Sequence, residues 1–328
     1  MERETFMNAR RKVAVVALGG NSLTRKGQRG TIQEQFANTR ASVQTLWQLI
    51  ELGYQLVVTH GNGPQVGDML LQMESAMDQV PPQPLGVIGA ATQGSIGYMI
   101  QQTLQNHLMM EGRNIPVVTV LTQVVVDRYD PRLIDPIKPI GTRFYTKEEA
   151  DERIKALNWT VKEDAGRGWR RVVPSPYPLE IVELDVIESL LSSGAIVITA
   201  GGGGIPVLIE RDGRYEGVDA VIDKDLASGL LARSLDADLL IMLTAVDRVA
   251  LNFNSDKPEW IDELTVHQAK EYLRQGHFPA GSMGPKIEAA VDYLLSVRRK
   301  QTRKAIITNH ENLRLAIAGK GGTTITFQ

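Results

Sequence analysis

The chain has 328 residues, of which 43% are hydrophobic and 23% charged, with a formal net charge of −2 at pH 7 and no cysteine. This composition is that of a globular protein, and the lack of cysteine excludes disulfides, thiolate zinc sites and cysteine nucleophiles. The charge gives no general attraction to nucleic acid or to an anionic membrane. No apolar run approaches the roughly 20 residues that span a bilayer, and Met1–Arg11 lacks the apolar core of a secretory signal. We therefore expect a cytoplasmic protein that binds neither nucleic acid nor membrane.

Short apolar runs predict the strands of a parallel sheet that is buried on both faces. In chain order they are Val13–Leu18, Gln55–Thr59, Pro116–Leu121, Ala195–Ala200, Asp238–Thr244, Lys304–Thr308 and Thr323–Phe327. The first predicted helix is capped by Thr31 and stops at Gly53. Further helices are predicted at Gln65–Ala76, Gln93–Glu111, Leu179–Leu191, Leu226–Leu235, Val266–Arg274 and Pro285–Arg298. The alternation predicts an α/β fold with a mainly parallel central sheet between helix layers.

One stretch interrupts this alternation. Asp127–Pro178 contains six of the fifteen prolines and only one clear helix, Lys147–Leu157, which Thr146 would cap. A loop of this length is improbable in a compact domain unless it has its own fold or a function. We interpret the stretch as a small inserted subdomain that could act as a lid.

Glycine-rich loops follow three of the predicted strands. They are Ala-Leu-Gly-Gly-Asn at 17–21, His-Gly-Asn-Gly-Pro-Gln at 60–65 and the four glycines 201–204. Glycines at the carboxyl ends of strands let bare N–H groups approach an anion, and Pro64 suits the first turn of a helix. A plain strand-to-helix turn would explain the first loop equally well. His60 alone is interpreted as structural, and the glycine spacing does not match the dinucleotide fingerprint.

Three lysines lie in contexts that favour anion binding. Lys224 stands between two aspartates before a helix, where an acidic residue is also favoured simply as a cap. Lys286 falls in the first turn of a helix, against the helix dipole. Lys138 is held in a stiff Pro-x-x-Pro frame within the insert. No P-loop, nucleophile elbow or zinc-ligand spacing occurs.

Together these segments resemble the carbamate kinase family of the amino-acid-kinase superfamily. The resemblance runs from Val13 to the last strand and includes the three glycine loops. The other blocks are Lys-Pro-Ile-Gly at 138–141, Gly-Trp-Arg-Arg-Val-Val-Pro-Ser-Pro at 168–176, Ala-Val-Ile-Asp-Lys-Asp at 220–225 and Gly-Ser-Met-Gly-Pro-Lys at 281–286. Seven blocks in the same order make the resemblance specific.

The resemblance implies an open αβα sandwich of two lobes. The amino-terminal lobe, 1–215 with the insert at about 127–178, would bind carbamate or carbamoyl phosphate, and the carboxyl-terminal lobe, 216–328, would bind nucleotide. It further implies a homodimer and Mg²⁺-dependent, reversible phosphoryl transfer between ATP and carbamate. The usual catabolic direction in the family makes ATP from ADP and carbamoyl phosphate.

The family's site residues carry over onto matching positions. Lys138, Lys224 and Lys286 would hold the phosphoryl group, and Asp225 would orient the lysines. The small substrate would be bound by Gly19, Gly20, Asn21, Gly61, Asn62 and Gly63. The nucleotide would be bound by Gly202, Gly203, Thr244, Asp247, Met283 and Lys286. No direct protein ligand of Mg²⁺ is predicted.

Four positions depart from the family or superfamily pattern, of which Ser22, where alanine is commoner, is a minor change. Ala245 stands where the family usually has a carboxylate, and Ala250 where it usually has a tyrosine. Both are expected near the nucleotide, so its affinity or base preference is predicted to differ. Many superfamily members have a lysine where this chain has Ala17, and the resemblance suggests that Lys138 substitutes for it.

The chemistry agrees with this interpretation. Carbamate is already an anion and needs no general base, whereas its phosphorylation needs in-line positioning and positive charge. Two alternatives stay open, a kinase of another small acid such as oxamate and a weakly active nucleotide-binding regulatory paralogue. Ala245 and Ala250 motivate the second, and the full set of lysines argues against it. A dehydrogenase is the structural alternative, but the sequence lacks the glycine fingerprint of that class.

Overall fold

The computed structural model describes residues 12–19, 22–25, 27–141, 143–164, 166–253, 255, 257–279, 281–295 and 302–328. Its helices are α1 (Ile32–Glu51), α2 (Gly63–Glu74), α3 (Leu85–Met110), α4 (Lys147–Leu157), α5 (Leu184–Ser192), α6 (Lys224–Ser234), α7 (Val266–Arg274), α8 (Met283–Leu295) and α9 (Leu313–Ile317). Its strands are β1 (Val13–Leu18), β2 (Gln55–His60), β3 (Val117–Thr119), β4 (Gln123–Val126), β5 (Lys138–Pro139), β6 (Thr160–Glu163), β7 (Trp169–Val173), β8 (Pro178–Ile181), β9 (Ile196–Ile198), β10 (Ile205–Ile209), β11 (Tyr215–Gly217), β12 (Leu239–Leu243), β13 (Val249–Leu251), β14 (Glu259–Ile261), β15 (Glu263–Thr265), β16 (Lys304–Thr308) and β17 (Thr323–Thr326). No helix in these ranges is both long and apolar enough to cross a membrane.

An eight-stranded sheet in the order β15-β17-β16-β12-β1-β2-β9-β3 forms the centre of the molecule. Its neighbouring strands run parallel, except for the antiparallel pair β16–β17. The predicted mainly parallel sheet is thus confirmed. The pairing of β1 with β12 joins two halves of this sheet. β1, β2, β9 and β3 come from the earlier part of the chain, and β12, β16, β17 and β15 come from the later part.

Both faces of the central sheet are buried. Along β1, Ala14, Val16 and Leu18 belong to the apolar cluster that includes side chains of α1 and α3. Val13 and Val15 belong to the cluster on the other face, with side chains of α6 and α8. Strands packed on both faces favour nearly continuous apolar runs, which explains why β1 was predicted with its observed bounds.

The described residues also form three smaller sheets, in the orders β11-β10-β4-β8, β13-β14 and β5-β7-β6. The last of these and α4 form the insert, which has its own small core of Tyr145, Ala150 and Trp159. Thr146 caps α4 in a capping box with Glu149, so the helix predicted in the insert is confirmed.

The predicted helix Leu179–Leu191 is wrong in its first part. Pro178–Ile181 forms β8, which pairs antiparallel with β4, and α5 begins only at Leu184. Proline is tolerated at the first residue of a strand, and pairing with β4 overrides the helical spacing of the leucines.

Candidate active site

The glycine loops lie together at the carboxyl edge of the central sheet. Gly61 and Asn62 follow β2, while Gly202 follows β9, the strand beside it. A Cβ built on Gly202 would lie 2.1 Å from Asn62 Nδ2, so only glycine permits this contact. Asn62 Nδ2 donates to Thr92 Oγ1 on α3 at 2.9 Å, which fixes the amide in a buried position.

A cavity of about 330 Å³ opens beside these loops, and we call it the lysine cavity. It is lined by all three lysines singled out in the sequence, although they come from distant parts of the chain. Its described lining residues are Gly61, Asn62, Gly63, Pro64, Val66, Lys138, Pro139, Ile140, Gly202, Val221, Ile222, Asp223, Lys224, Asp225, Gly281, Ser282 and Lys286.

Asp225 bridges two of the lysines. Its Oδ1 accepts from Lys224 Nζ at 2.6 Å, and its Oδ2 accepts from Lys286 Nζ at 2.9 Å. The side chains of the three residues are at most 15% exposed, so the charges compensate each other away from bulk water. This arrangement places two ammonium groups at one wall of the cavity in a fixed position.

The pKa values of this group follow from burial and charge. Burial would raise the pKa of Asp225, but the two ammonium groups outweigh it and hold the pKa well below its ordinary range. Burial lowers the pKa of Lys224, which also lies near the positive charge of Lys286. Burial alone would lower the pKa of Lys286, but the charge and hydrogen bond of Asp225, together with the charge of Asp223, outweigh burial and raise that pKa. Losing Asp225 would therefore remove charge compensation from both lysines.

Asp223 connects the insert with α6, a role that sequence reasoning missed. Its Oδ2 accepts from Lys138 Nζ, and its Oδ1 accepts from the Asp225 backbone N–H at 2.9 Å as the N-cap of α6. One carboxylate thus positions the lysine of the insert and the helix that carries Lys224 and Asp225. The capping pattern alone could not show the partner because Lys138 lies 85 residues away.

A second cavity, of about 200 Å³, adjoins the lysine cavity, and we call it the apolar cavity. The two cavities share Ser282 and Lys286, whose ammonium also donates to the Ser282 carbonyl at 3.3 Å. The described residues that line the apolar cavity are Thr244, Val246, Arg248, Ala250, Phe253, Pro279, Ser282, Met283 and Lys286. Ala250, where the resemblance implies a tyrosine, is one of them.

The remaining predicted site residues are distributed unevenly. Thr244 and Met283 line the apolar cavity, whereas Gly202 lines the lysine cavity instead. Gly203 packs against the carbonyl of Ile222, and Asp247 lies 3.8 Å from Arg248 Nε. Neither lines one of the two cavities within the described part of the chain.

Only part of the first glycine loop lies within the described residues. Gly19 packs against β12, where a Cβ would lie 2.5 Å from the Leu243 carbonyl oxygen. Gly20 and Asn21 lie outside the described residues. His60 is buried, and burial lowers its pKa to about 4, so it is neutral at pH 7 and suits a structural role.

The acidic groups of the site do not form a metal cage. Within the described ranges, no cluster of three or more histidine or carboxylate side chains could hold a metal ion. The oxygens of Asp225 accept from lysines, and those of Asp223 accept from Lys138 and a backbone N–H. Mg²⁺ usually keeps several waters and binds through substrate phosphates.

Comparisons with known proteins find similarity over nearly the whole chain. Residues 12–309 match the model of the amino acid kinase family. The carbamate kinase of Pyrococcus horikoshii is 47% identical over 95% of this chain and 98% of its own length. Carbamate kinase 3 of Staphylococcus aureus is 48% identical over 95% of this chain and 98% of its own. A structure of carbamate kinase from Giardia lamblia bound to AMP-PNP is 40% identical, covers 97% of this chain and 99% of its own, and superposes with a TM-score of 0.88.

Proposed function

The chain belongs to the amino acid kinase family and, within it, to the carbamate kinases, and we propose that it transfers a phosphoryl group reversibly between ATP and carbamate. The observation that carries this proposal is the convergence of Lys138, Lys224 and Lys286 on one cavity that adjoins a second, largely apolar one. The arrangement suits a nucleotide and a small acid that meet at Lys286.

We assign the acceptor to the loops of the amino-terminal lobe and the nucleotide to the carboxyl-terminal lobe. The backbone N–H groups near Gly61 and Gly202, with the Asn62 amide, would hold carbamate or carbamoyl phosphate. Thr244 and Met283 would contact the nucleoside in the apolar cavity. The transferred phosphoryl group would then lie at the shared wall, beside Lys286.

The lysines supply what phosphoryl transfer needs. Its transition state is loose and rich in charge, so catalysis depends on in-line positioning and fixed positive groups. Lys224 and Lys286 are held by Asp225, and Lys138 is held by Asp223. Carbamate attacks as an anion, so none of these residues has to remove a proton.

Mg²⁺ fits this site as an ion carried by the nucleotide. When bound, it would neutralise charge on the nucleotide phosphates. Asp223 and Asp225, the carboxylates at the lysine cavity, are the acidic residues that would help to hold the ion. All other contacts with the phosphoryl group come from the lysines and the loop N–H groups.

The test is to mix the protein with carbamoyl phosphate, ADP and Mg²⁺ and to measure ATP. We expect the wild type to form ATP. The matched control variant Lys286→Ala should form ATP poorly. Nucleotide binding without ATP formation would contradict the proposal and favour a regulatory protein. ATP consumption with oxamate but not with carbamate would assign another small acid as the acceptor.

We also propose a cytoplasmic homodimer that runs in the ATP-forming direction. Large apolar side chains on α3 support the dimer, since Val87, Tyr98, Met109 and Met110 are between 46% and 83% exposed. These side chains offer apolar area that a second copy of the chain could bury. Light scattering should give twice the 36.1 kDa of one chain, and a monomeric mass would contradict the dimer. Net flux measured with both substrate pairs present at cellular concentrations tests the direction, and net formation of carbamoyl phosphate would contradict it.

A further inference from the structure

Gly67 occupies an unexpected position in the interior of α2. The helix spans Gly63–Glu74, and Gly67 is not among the residues with a positive φ. A glycine inside a helix is less stable than an alanine by about 1 kcal/mol. Backbone conformation therefore does not explain why this residue has no side chain.

The reason is a contact between α2 and the insert. A Cβ built on Gly67 would lie 2.1 Å from the Cα of Gly141 and 2.9 Å from its backbone nitrogen. Ordinary van der Waals contact begins at 3.4 Å, so a methyl group would have to displace one of the two backbones by at least 1.3 Å (3.4 minus 2.1). The three nearest described atoms all belong to the backbone of Gly141, so the displacement cannot be relieved by moving the end of a side chain.

The segment that ends at Gly141 carries Lys138. Lys138 and Pro139 form β5, and the Ile140 N–H donates to the Arg171 carbonyl at 3.1 Å. Ile140 is 6% exposed and belongs to an apolar cluster with Val66, the neighbour of Gly67. Pro139 has a fixed φ, so the segment is stiff. A shift at Gly141 is therefore transmitted to Lys138.

We propose that Gly67 is a positioning residue for phosphoryl transfer. Because Gly67 has no side chain, the backbone of the insert can approach α2 closely. This approach places the Lys138 ammonium at the lysine cavity and within reach of Asp223. This inference rests on the proposed function, because it gives Lys138 a purpose at the cavity. Gly67 does not line the lysine cavity, and it lies on α2, whereas Lys138 lies on β5.

Gly67→Ala tests the inference with a graded set of controls. A misplacement of about 1 Å can slow an enzyme about 10²-fold, so we expect kcat to fall by about that factor. The KM for ADP should stay unchanged, because the apolar cavity is lined by residues from Thr244 onward. Gly94→Ala, in α3, should have no effect because nothing lies within 4 Å of its Cβ position.

Gly141→Ala approaches the same contact from the other side. Its Cβ would lie 3.3 Å from the Gly67 Cα, and its φ of 74° adds local strain. We expect a smaller loss of kcat than for Gly67→Ala. This variant also keeps the inference testable if Gly67→Ala does not fold.

A double-mutant cycle shows whether Gly67 acts through Lys138. Residues that act through one another are not additive, so Gly67→Ala should cause no further loss of kcat in a Lys138→Ala background. If the two losses multiply instead, Gly67 acts by another route and the inference is wrong. Wild-type kcat in Gly67→Ala would overturn it as well.

A second measurement does not depend on activity. The Lys138 side chain is 29% exposed and paired with Asp223, which should slow its acetylation by acetic anhydride. Peptide mass spectrometry should show several-fold faster acetylation of Lys138 in Gly67→Ala than in the wild type and in Gly94→Ala. Equal rates would refute the inference. If the wild type forms no ATP, the proposed function fails, and this measurement still decides whether Gly67 positions Lys138.

Discussion

Replacing Asp225 with asparagine should damage both stability and turnover. Asparagine keeps the size of the side chain but removes the charge that compensates two buried ammonium groups at 2.6 and 2.9 Å. Removing one partner of a buried ion pair typically lowers the free energy of unfolding by about 3–5 kcal/mol, and we expect a loss of this size here. At about 2 °C per kcal/mol for a chain of this size, the melting temperature should fall by about 6–10 °C.

The pH dependence of Asp225→Asn gives a sharper test. Burial already lowers the pKa of Lys224, and without Asp225 that pKa should fall further. More Lys224 would then be neutral at a given pH, so the turnover of the variant should rise as the pH is lowered. In the wild type the pKa of Asp225 is below its ordinary 3.8, so its contribution to stability is present above that pH and is lost below it.

Stopped assays of ATP formation across pH and urea denaturation at pH 7 measure these effects. Glu288→Gln, on α8 and paired at the surface with Arg132, is a matched control that should stay within about 1 kcal/mol of the wild type. If Asp225→Asn keeps wild-type stability and turnover, the two lysines do not depend on this carboxylate, and our account of the site is refuted.

Three further predictions concern the cavities and the buried histidine. Lys286→Ala should fold, because Asp225 keeps Lys224 as a partner, but ATP formation should slow by a few orders of magnitude; normal turnover would remove Lys286 from the mechanism. Ala250→Tyr should lower the KM for ADP, by about fivefold if the ring contributes about 1 kcal/mol; an unchanged KM would place the nucleotide elsewhere. The pKa of His60 falls from 6.5 to about 4 on folding, so stability should decrease by up to about 3 kcal/mol as the pH drops through that range. His60→Gln should lack this decrease in urea denaturation, and an unaltered pH dependence would contradict it.

Long apolar patterns and clear caps made much of the fold predictable. β1, β16, α4 and α7 were predicted with their observed bounds, since continuous burial or a capping box marks their ends. α3 begins at Leu85 instead of Gln93, because the glycines in its first half weaken the helical signal. One of its glycines, Gly97, is needed where the helix touches Thr119, with 2.3 Å between its Cβ position and the Thr119 methyl.

The short strands could not be predicted from the sequence. β5 has two residues and β13 and β14 have three each, so they show no period of their own. β5 exists because the more distant β7 completes its hydrogen bonds, and β13 and β14 exist because they pair with each other. For the same reason the site was only partly predictable. Each lysine could be proposed from its own sequence context. The ion pair of Lys138 with Asp223 and the contact of Gly67 with Gly141 depend on tertiary structure.

The wall that the two cavities share has a consequence for inhibitor design. Since Lys286 and Ser282 border both spaces, a single compound could occupy them together. A nucleoside joined to a small carboxylate through a chain of phosphates would fill the apolar cavity with one end and reach the glycine loops with the other. Tethering makes the second contact intramolecular, so such a bisubstrate compound should bind far more tightly than either half alone.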